Sequence, residues 1–367
     1  MTHYLVVGAG ILGSSVAYHL AKANQQVTII DYPNNGEATR AAAGIISPWL
    51  SQKQNETLYQ LLKHGAAYYQ ELNAELNTLG IQDTSYKQVE SIHLHKSEDK
   101  LAKMVDDTIA RKKDAPEIGD VQQLSEEVVA ESTPVMTRNM GGIKISGGGR
   151  VNGAVFRDAL LNGAEIHGAD IIKGEAILNN DGATVTVNGQ RIEADQLIIT
   201  NGAWASSFLN KSENHLDIKS TKTQIVQLQL PGYQTEDWPV VMLPNNKYIV
   251  GFKNGIVSVG AEHRDNHDFN PTVDASSIHE ILKAAFKFAP GLKEAHFIDA
   301  KVGFRPQTNH NRPVYGFLPH NPSIYVANGL GASGMTSGPF IGAEISRHLL
   351  GQQTVLSQVD FDPKEQG

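Results

Sequence analysis

Residues 3–31, HYLVVGAGILGSSVAYHLAKANQQVTIID, constrain the fold more than any other stretch of this chain. Tyr4 to Val7 is an apolar run of the kind that makes a buried parallel strand, and it leads straight into Gly8-Ala-Gly10-Ile11-Leu12-Gly13. Leu12, Val16 and Leu20 recur every four residues, so a helix with one apolar stripe follows the turn. Val27 to Ile30 is apolar again and ends on Asp31. The spacing predicts a β-α-β unit. In such a turn Gly8 permits the tight bend, Gly10 admits a pyrophosphate close to the backbone, and Gly13 lets helix and strand pack with no side chain between them. The helix start offers free N–H groups and a positive dipole end to phosphates. Asp31, at the tip of the second strand, suits a ribose diol, where a basic residue would have suited a 2′-phosphate. An adenine dinucleotide is the expected ligand.

With 367 residues, 40% of them hydrophobic, and 34 glycines, the chain is long enough for one large or two ordinary α/β domains. No apolar run approaches a membrane span, and the N-terminus enters a strand without a signal peptide, so a cytoplasmic protein is expected. The absence of cysteine excludes disulfides, iron–sulfur clusters and cysteine nucleophiles. Net charge is −8 and the only compact basic cluster is Arg111-Lys112-Lys113, read as a solvated helix face. Nucleic acid is therefore not an expected partner.

Further along, small residues crowd Glu37 to Pro48, either a backbone passing close to something flat or a small-residue helix packed on the sheet. Leu58 to Leu79 reads as a long amphipathic helix, Val89 to His95 as a strand, and Lys100 to Lys113 as a surface helix. After a glycine-rich crossing at Met140 to Val151 come a helix at Ala154 to Gly163 and strands at Ile166 to Ile172, Ala183 to Val187 and Gln196 to Thr200. The last of these ends in Asn201-Gly202-Ala203-Trp204, a second strand-to-glycine turn returning to the nucleotide sheet. From Lys222 to Ala261 alternating strands suggest an antiparallel sheet of different architecture. Ser277 to Phe288 reads as a helix. The C-terminal third carries Gly303-Phe304-Arg305-Pro306, a strand at Ile324 to Ala327, then Gly329-Leu-Gly331-Ala332-Ser333-Gly334-Met335 opening a closing helix, with Asp362 to Gly367 read as frayed.

GAGILG with Asp31, Thr39-Arg40-Ala-Ala-Ala43-Gly44, Ala203-Trp204, GFRP and GLGASG, in this order over nearly the whole chain, resemble the D-amino-acid oxidase family of FAD-dependent oxidoreductases, which includes glycine oxidase, sarcosine oxidase and D-amino-acid dehydrogenases. The resemblance implies an α/β fold: a Rossmann-like FAD-binding domain from residues 1–81, 146–216 and 303–367, and an α+β substrate domain with a mainly antiparallel sheet from 82–145 and 217–302. It implies that Gly8, Gly10, Ile11, Leu12, Gly13, Asp31 and Tyr32 hold the ADP half of FAD. Thr39, Arg40, Ala43 and Gly44 would wrap the pyrophosphate and flavin edge, and the backbone of Ala176 would meet the adenine. Gly202 and the turn Gly331, Ala332, Ser333, Gly334 and Met335 complete the set, the last helix's N-terminus facing the flavin's pyrimidine end. With no cysteine in the chain and no histidine from Tyr32 to Lys63, the FAD is expected to be non-covalent.

Arg305 is the expected substrate anchor, because a guanidinium grips an α-carboxylate through two parallel bonds; the bland alternative is a structural arginine between strands. Tyr248 is expected to line the pocket or else sit in the core. The implied reaction is oxidation of the C–N bond of a small amino acid (glycine, a D-amino acid or an N-methyl amino acid) by hydride transfer to flavin N5, with oxygen or a quinone as acceptor. No general base is assigned, since a neutral amine can drive hydride transfer once oriented. Other readings are a quinone-linked dehydrogenase of this fold, the flavin module of wobble-uridine modification in transfer RNA, and a nucleotide-binding scaffold without catalysis. His93 with His95, and His263, Asp265, His267 and Asp268, read as polar surface rather than metal sites. Glycine-oxidase-like sequences carry an arginine where this chain has Ala332 and commonly an aspartate where it has His310, which allows a wider or less charged pocket.

Overall fold

The computed structural model describes residues 1–50, 55–179, 184–209, 216–265 and 268–366. Its nucleotide sheet has six strands in the spatial order Val314–Leu318, Asn321–Asn328, Gln196–Ile199, His3–Val7, Gln26–Asp31, Asp170–Lys173. All neighbours are parallel except the first pair. The continuous apolar run of the first strand is explained by burial on both faces: Tyr4 and Val6 face one core cluster while Leu5 and Val7 face another. Helices Ile11–Lys22, Gly153–Ile166 and Gly334–Leu349 pack together on one side, and a small sheet of Ile177–Leu178, Val185–Val187 and Gln190–Ile192 covers the other.

The helix Ile11–Lys22 is buried on almost every side, not along a single stripe as the periodicity suggested. Ser14, Ser15 and Ala17 are as deeply buried as Leu20, because neighbouring helices pack on faces that carry only small residues. Glu56–Thr78 is the long helix, opened by Asn55, whose side chain accepts from the Leu58 N–H at 2.8 Å.

A second sheet of eight strands runs His296–Gln307, Lys219–Gln229, Ile256–Asp265, Tyr248–Gly251, Val240–Met242, Ser91–His95, Gly141–Ile145, Val121–Leu124. Its only parallel pair is Val240–Met242 with Ser91–His95. One face packs under helix Ala275–Phe286; the other carries Ile225, Tyr248, Ala261 and Met242 toward Ala43 and Ile45. Gly303 to Pro306 belongs to this sheet, since the strand bearing them continues unbroken from His296 to Gln307.

Several local expectations change. Residues 166–169 close a helix instead of opening a strand, because Gly168 adopts φ +90° and lets the chain turn after Ile166. Ala183 lies outside the described residues; the strand there is Val185–Val187. Of the tail read as frayed, Pro363–Gln366 forms a short turn packed beside the strand Val314–Leu318, and Gly367 lies outside the described residues. Just before it Phe361 is buried against Tyr315, ring centroids 4.7 Å apart, and buried Glu344 accepts from the Val355 and Leu356 N–H groups at 2.9 Å each. Arg111 is no freely solvated lysine-like charge, since it donates to the Trp49 carbonyl and lies 5.2 Å from the Tyr59 ring centroid. No helix among the described residues is long and apolar enough to cross a membrane.

Candidate active site

A cavity of about 1210 Å³ runs from the C-terminal edge of the nucleotide sheet to the apolar face of the second sheet. Its nucleotide end is built by glycines acting in three ways. Gly8 has φ +99°, and a Cβ there would stand 2.6 Å from the Asn201 Cα. A Cβ on Gly13 would stand 1.9 Å from the Gly8 carbonyl oxygen, so Gly13 sets the contact between helix and turn without reaching the cavity. Gly10 lines the cavity, and a Cβ on it would meet nothing closer than the Thr39 hydroxyl at 3.4 Å. Here the missing side chain leaves room for a ligand rather than for protein. Asp31 holds this turn, one carboxylate oxygen accepting from the Ala9 N–H at 2.9 Å. Thr39 reaches back from the following loop and accepts from the Ile11 N–H at 3.0 Å.

Of the residues singled out in the sequence, Gly8, Gly10, Ile11, Leu12, Asp31, Tyr32, Thr39, Ala43, Gly44, Ala176, Gly202, and Gly331 to Met335 all line this one cavity, with Tyr248 and Arg305 at its other end. Arg40 does not. Its side chain is exposed and pairs with Glu37 at 3.0 Å, whereas Arg157, also paired with Glu37, lines the cavity in that region. Residues 37–44 are turns and irregular backbone, not a helix; Gly44, at φ +71°, presses against the Val151 carbonyl where a Cβ would be 1.7 Å away. The helix Gly334–Leu349 starts without a side-chain cap, and Ser333, Gly334 and Met335 at its N-terminus line the cavity. A bridge between Gln307 and Leu330 ties this turn to the strand bearing Arg305.

These features suit an adenine dinucleotide flavin. The open Gly10 cradle, the uncapped helix start, the carboxylate of Asp31, and the Asn201 side-chain oxygen, buried without a partner beside Gly8, are the groups a pyrophosphate and ribose would meet.

The far end differs chemically. Among the described residues no carboxylate pairs with Arg305 and no acceptor receives its N–H groups, although it lies largely within the cavity wall. Burial lowers its pKa, and nearby Tyr248 partly offsets this; a guanidinium stays charged regardless. Tyr248 is buried, its hydroxyl has no partner, and burial raises its pKa. The hydroxyl occupies the space of a side chain at Gly260 on the neighbouring strand, where a Cβ would be 2.4 Å from it.

His263 also lines this end, contrary to its reading as polar surface. Its strand runs four residues further than the alternation at Gly255 to Ala261 suggested, carrying the imidazole over the cavity with Nδ1 3.1 Å from the Thr223 hydroxyl. Desolvation by the cavity walls, reinforced by Arg305 and Lys247, pushes its pKa down to about 4. His93 is likewise no surface group, and burial lowers it to about 4. His267 lies outside the described residues. Among the described residues no three metal-ligating side chains cluster. Trp204 and Phe304 line the cavity in an aromatic group with Phe269, which stacks on Trp204 at 5.6 Å.

A family model described as FAD dependent oxidoreductase matches residues 3–348. The chain belongs to this family. It is 44% identical over 367 residues, 99% of each chain, to YurR of Bacillus subtilis (strain 168), described as an uncharacterized oxidoreductase. The crystal structure of iminodiacetate oxidase (IdaA) from Chelativorans sp. BNC1 matches with a TM-score of 0.94 at 36% identity, covering 98% of each chain. Glycine oxidase of Bacillus subtilis (strain 168) is 25% identical over 363 residues, 96% of this chain and 94% of that one. The protein is thus an FAD-dependent oxidoreductase, as the resemblance implied.

Proposed function

We propose that this oxidoreductase oxidises the C–N bond of a small α-amino acid, its nitrogen free or carrying a small substituent, with Arg305 holding the α-carboxylate. The observation that carries this reading is the Arg305 guanidinium, without a partner among the described residues, on the same cavity as the glycine cradle. A cation without an internal partner in a cavity wall is placed for an external anion. When bound, non-covalently on this reading, the flavin supplies a hydride acceptor at N5 and passes the electrons on to oxygen or a quinone. The chain's own residues bind and orient: Arg305 fixes the carboxylate by two parallel hydrogen bonds, which aims the Cα–H along one direction. Tyr248 lines the wall beside that carboxylate, its hydroxyl packed over Gly260. The His263 ring, neutral because its pKa is near 4, adds no competing positive charge, and with Nδ1 engaged by Thr223 its remaining nitrogen is free for the substrate amine.

The relative named iminodiacetate oxidase supports a secondary amine flanked by carboxylates as a member of the substrate class, and the one named glycine oxidase supports the primary amine. Gly8, Gly10, Asp31 and Thr39 are assigned to the ADP half of FAD, Ala176 to the adenine, and Ala43, Gly44 and Gly331 to Met335 to the flavin. The two sheets are read as an FAD lobe and a substrate lobe, with Arg305 on the substrate side of the cavity between them. Anaerobic addition of glycine, sarcosine, iminodiacetate and D-alanine to the yellow holoprotein tests this: bleaching by any of them supports it, and subsequent reoxidation by oxygen or by a quinone identifies the acceptor. A flavin that none of them reduces refutes it.

A further inference from the structure

The cavity face of the eight-stranded sheet continues past Tyr248. Strand register places Gly260, Tyr248, Met242 and His93 opposite one another on four successive strands. Registered residues of neighbouring strands share a face, so Met242 and His93 extend the row that begins at the Arg305 end. Two strand spacings, about 10 Å, separate the backbone of His93 from that of Tyr248. At the end of the row stands Ser47, which lines the cavity; its Oγ lies 3.3 Å from His93 Nε2 and 2.8 Å from the Ser91 Oγ. Ser91 is fully buried.

Polar atoms at this point are unexpected if the pocket serves only a compact amino acid, because Met242, the cavity-lining residue between Tyr248 and His93 in the row, is apolar. A hydroxyl has one proton and two lone pairs, and Ser47 has two protein neighbours. A carboxylate only accepts, so the contact requires Ser47 to donate: with His93 carrying its proton on Nε2 and donating to Ser47, and Ser91 donating to Ser47 as well, the Ser47 proton is left for an oxygen in the cavity.

We propose that Ser47, held in place by His93 and Ser91, hydrogen-bonds an oxygen-bearing group on the substrate's nitrogen, so that this site prefers N-substituted amino acids whose substituent ends in a carboxylate over those with a bare methyl. This rests on the assignment of Arg305 to the α-carboxylate, which fixes one end of the substrate and points its nitrogen substituent along the row. Ser47 is the contacting residue and His93 the positioning residue.

The test uses two ethers that cannot be oxidised as amines are: diglycolate, with two carboxylates, and methoxyacetate, with one carboxylate and a methyl end. Their dissociation constants for the FAD-loaded protein are measured by titration calorimetry, and the ratio of the two is the readout. Wild type binds diglycolate more tightly. Ser47→Ala reduces that selectivity ratio about tenfold, the usual effect of losing a hydrogen bond to a charged group. His93→Leu reduces it as well, whereas His93→Gln, which keeps an amide near the place of Nε2, restores most of it. The result is overturned by a ratio within twofold of wild type in Ser47→Ala. If Arg305→Ala weakens methoxyacetate while the ratio ignores Ser47, only this inference falls. If neither ether binds and no amino acid bleaches the flavin, both readings fall together.

Discussion

Arg305→Ala separates a substrate anchor from a structural arginine, because the two roles predict opposite effects on stability. The guanidinium makes no ion pair among the described residues and its pKa is lowered by burial, so it is an uncompensated charge whose removal strands no partner. Thermal stability of the variant should equal or exceed that of wild type, and its FAD content should be unchanged, since Arg305 stands at the opposite end of the cavity from the Gly8–Gly13 turn. Substrate binding should collapse. A charge-assisted bidentate contact contributes about 3 kcal/mol, and at 1.36 kcal/mol per tenfold the half-saturating concentration for anaerobic bleaching rises on the order of 150-fold. A second consequence follows from the neighbours. Desolvation and then Arg305 hold the His263 pKa down, so deleting the guanidinium raises it from about 4. The imidazole should then titrate at higher pH by NMR. Half-saturation within threefold of wild type, or a melting temperature lowered by several degrees, would refute the anchor and restore the structural role.

Gly13→Ala should cost both fold stability and flavin, since its Cβ would meet the Gly8 carbonyl at 1.9 Å; overpacking of this kind costs on the order of 1–3 kcal/mol, and the preparation should emerge paler. Gly168→Ala is the control: at φ +90° with nothing within 4 Å of its Cβ, it loses roughly 1–2 kcal/mol from backbone strain alone and stays yellow. Asp31→Ala removes the carboxylate assigned to the ribose on the proposed reading and the acceptor for the Ala9 N–H, and should weaken FAD about tenfold or more by equilibrium dialysis. Acid stability follows from His19 and His93, each pushed down to about 4 by burial from an unfolded value near 6.5. The unfolded chain binds these protons first, so the stability they support is complete above about pH 6.5 and is lost progressively toward pH 4. Full protonation of each removes on the order of 3 kcal/mol of stability. Urea midpoints measured from pH 7.5 down to 4.5 should fall, and His19→Gln should flatten the slope if it folds; an unchanged midpoint would show that both imidazoles are free to protonate in the native state.

The nucleotide half was legible because its determinants are contiguous. Gly8, Gly10, Gly13 and Asp31 sit within one β-α-β unit, so local steric rules relate each to its neighbours without knowledge of the rest of the chain. Arg40 shows the limit of that reasoning: it lies in the motif, but its three-residue spacing from Glu37 turns it outward, while Arg157, distant in sequence and on another helix, reaches the cavity. The substrate half was legible only where resemblance supplied Arg305 and Tyr248. His263 appeared as one polar residue in an acidic, histidine-rich stretch, since alternation faded at Ala261 and nothing local announced that the strand continued to Asp265.

Ser47 and His93 were hidden for a related reason. The role proposed for them depends on the alignment of His93 with Met242 and Tyr248, on strands far apart in sequence, and on the hydrogen bond from His93 to Ser47; a shift of one residue in the pairing of the His93 strand would point His93 to the opposite face. Register in such a sheet is set by which residues can be buried together. The back face pairs Val226 with Val259, Val259 with Ile249, Ile249 with Val241 and Val241 with Ile92, an unbroken apolar row. That row fixes the cavity face one residue out of step, where Gly260, Tyr248, Met242 and His93 must then fall. Which residues form this pocket wall is therefore a consequence of hydrophobic packing on the other side of the same strands, and substitutions there, such as Ile249→Asp, should disturb substrate selectivity without touching a single pocket residue.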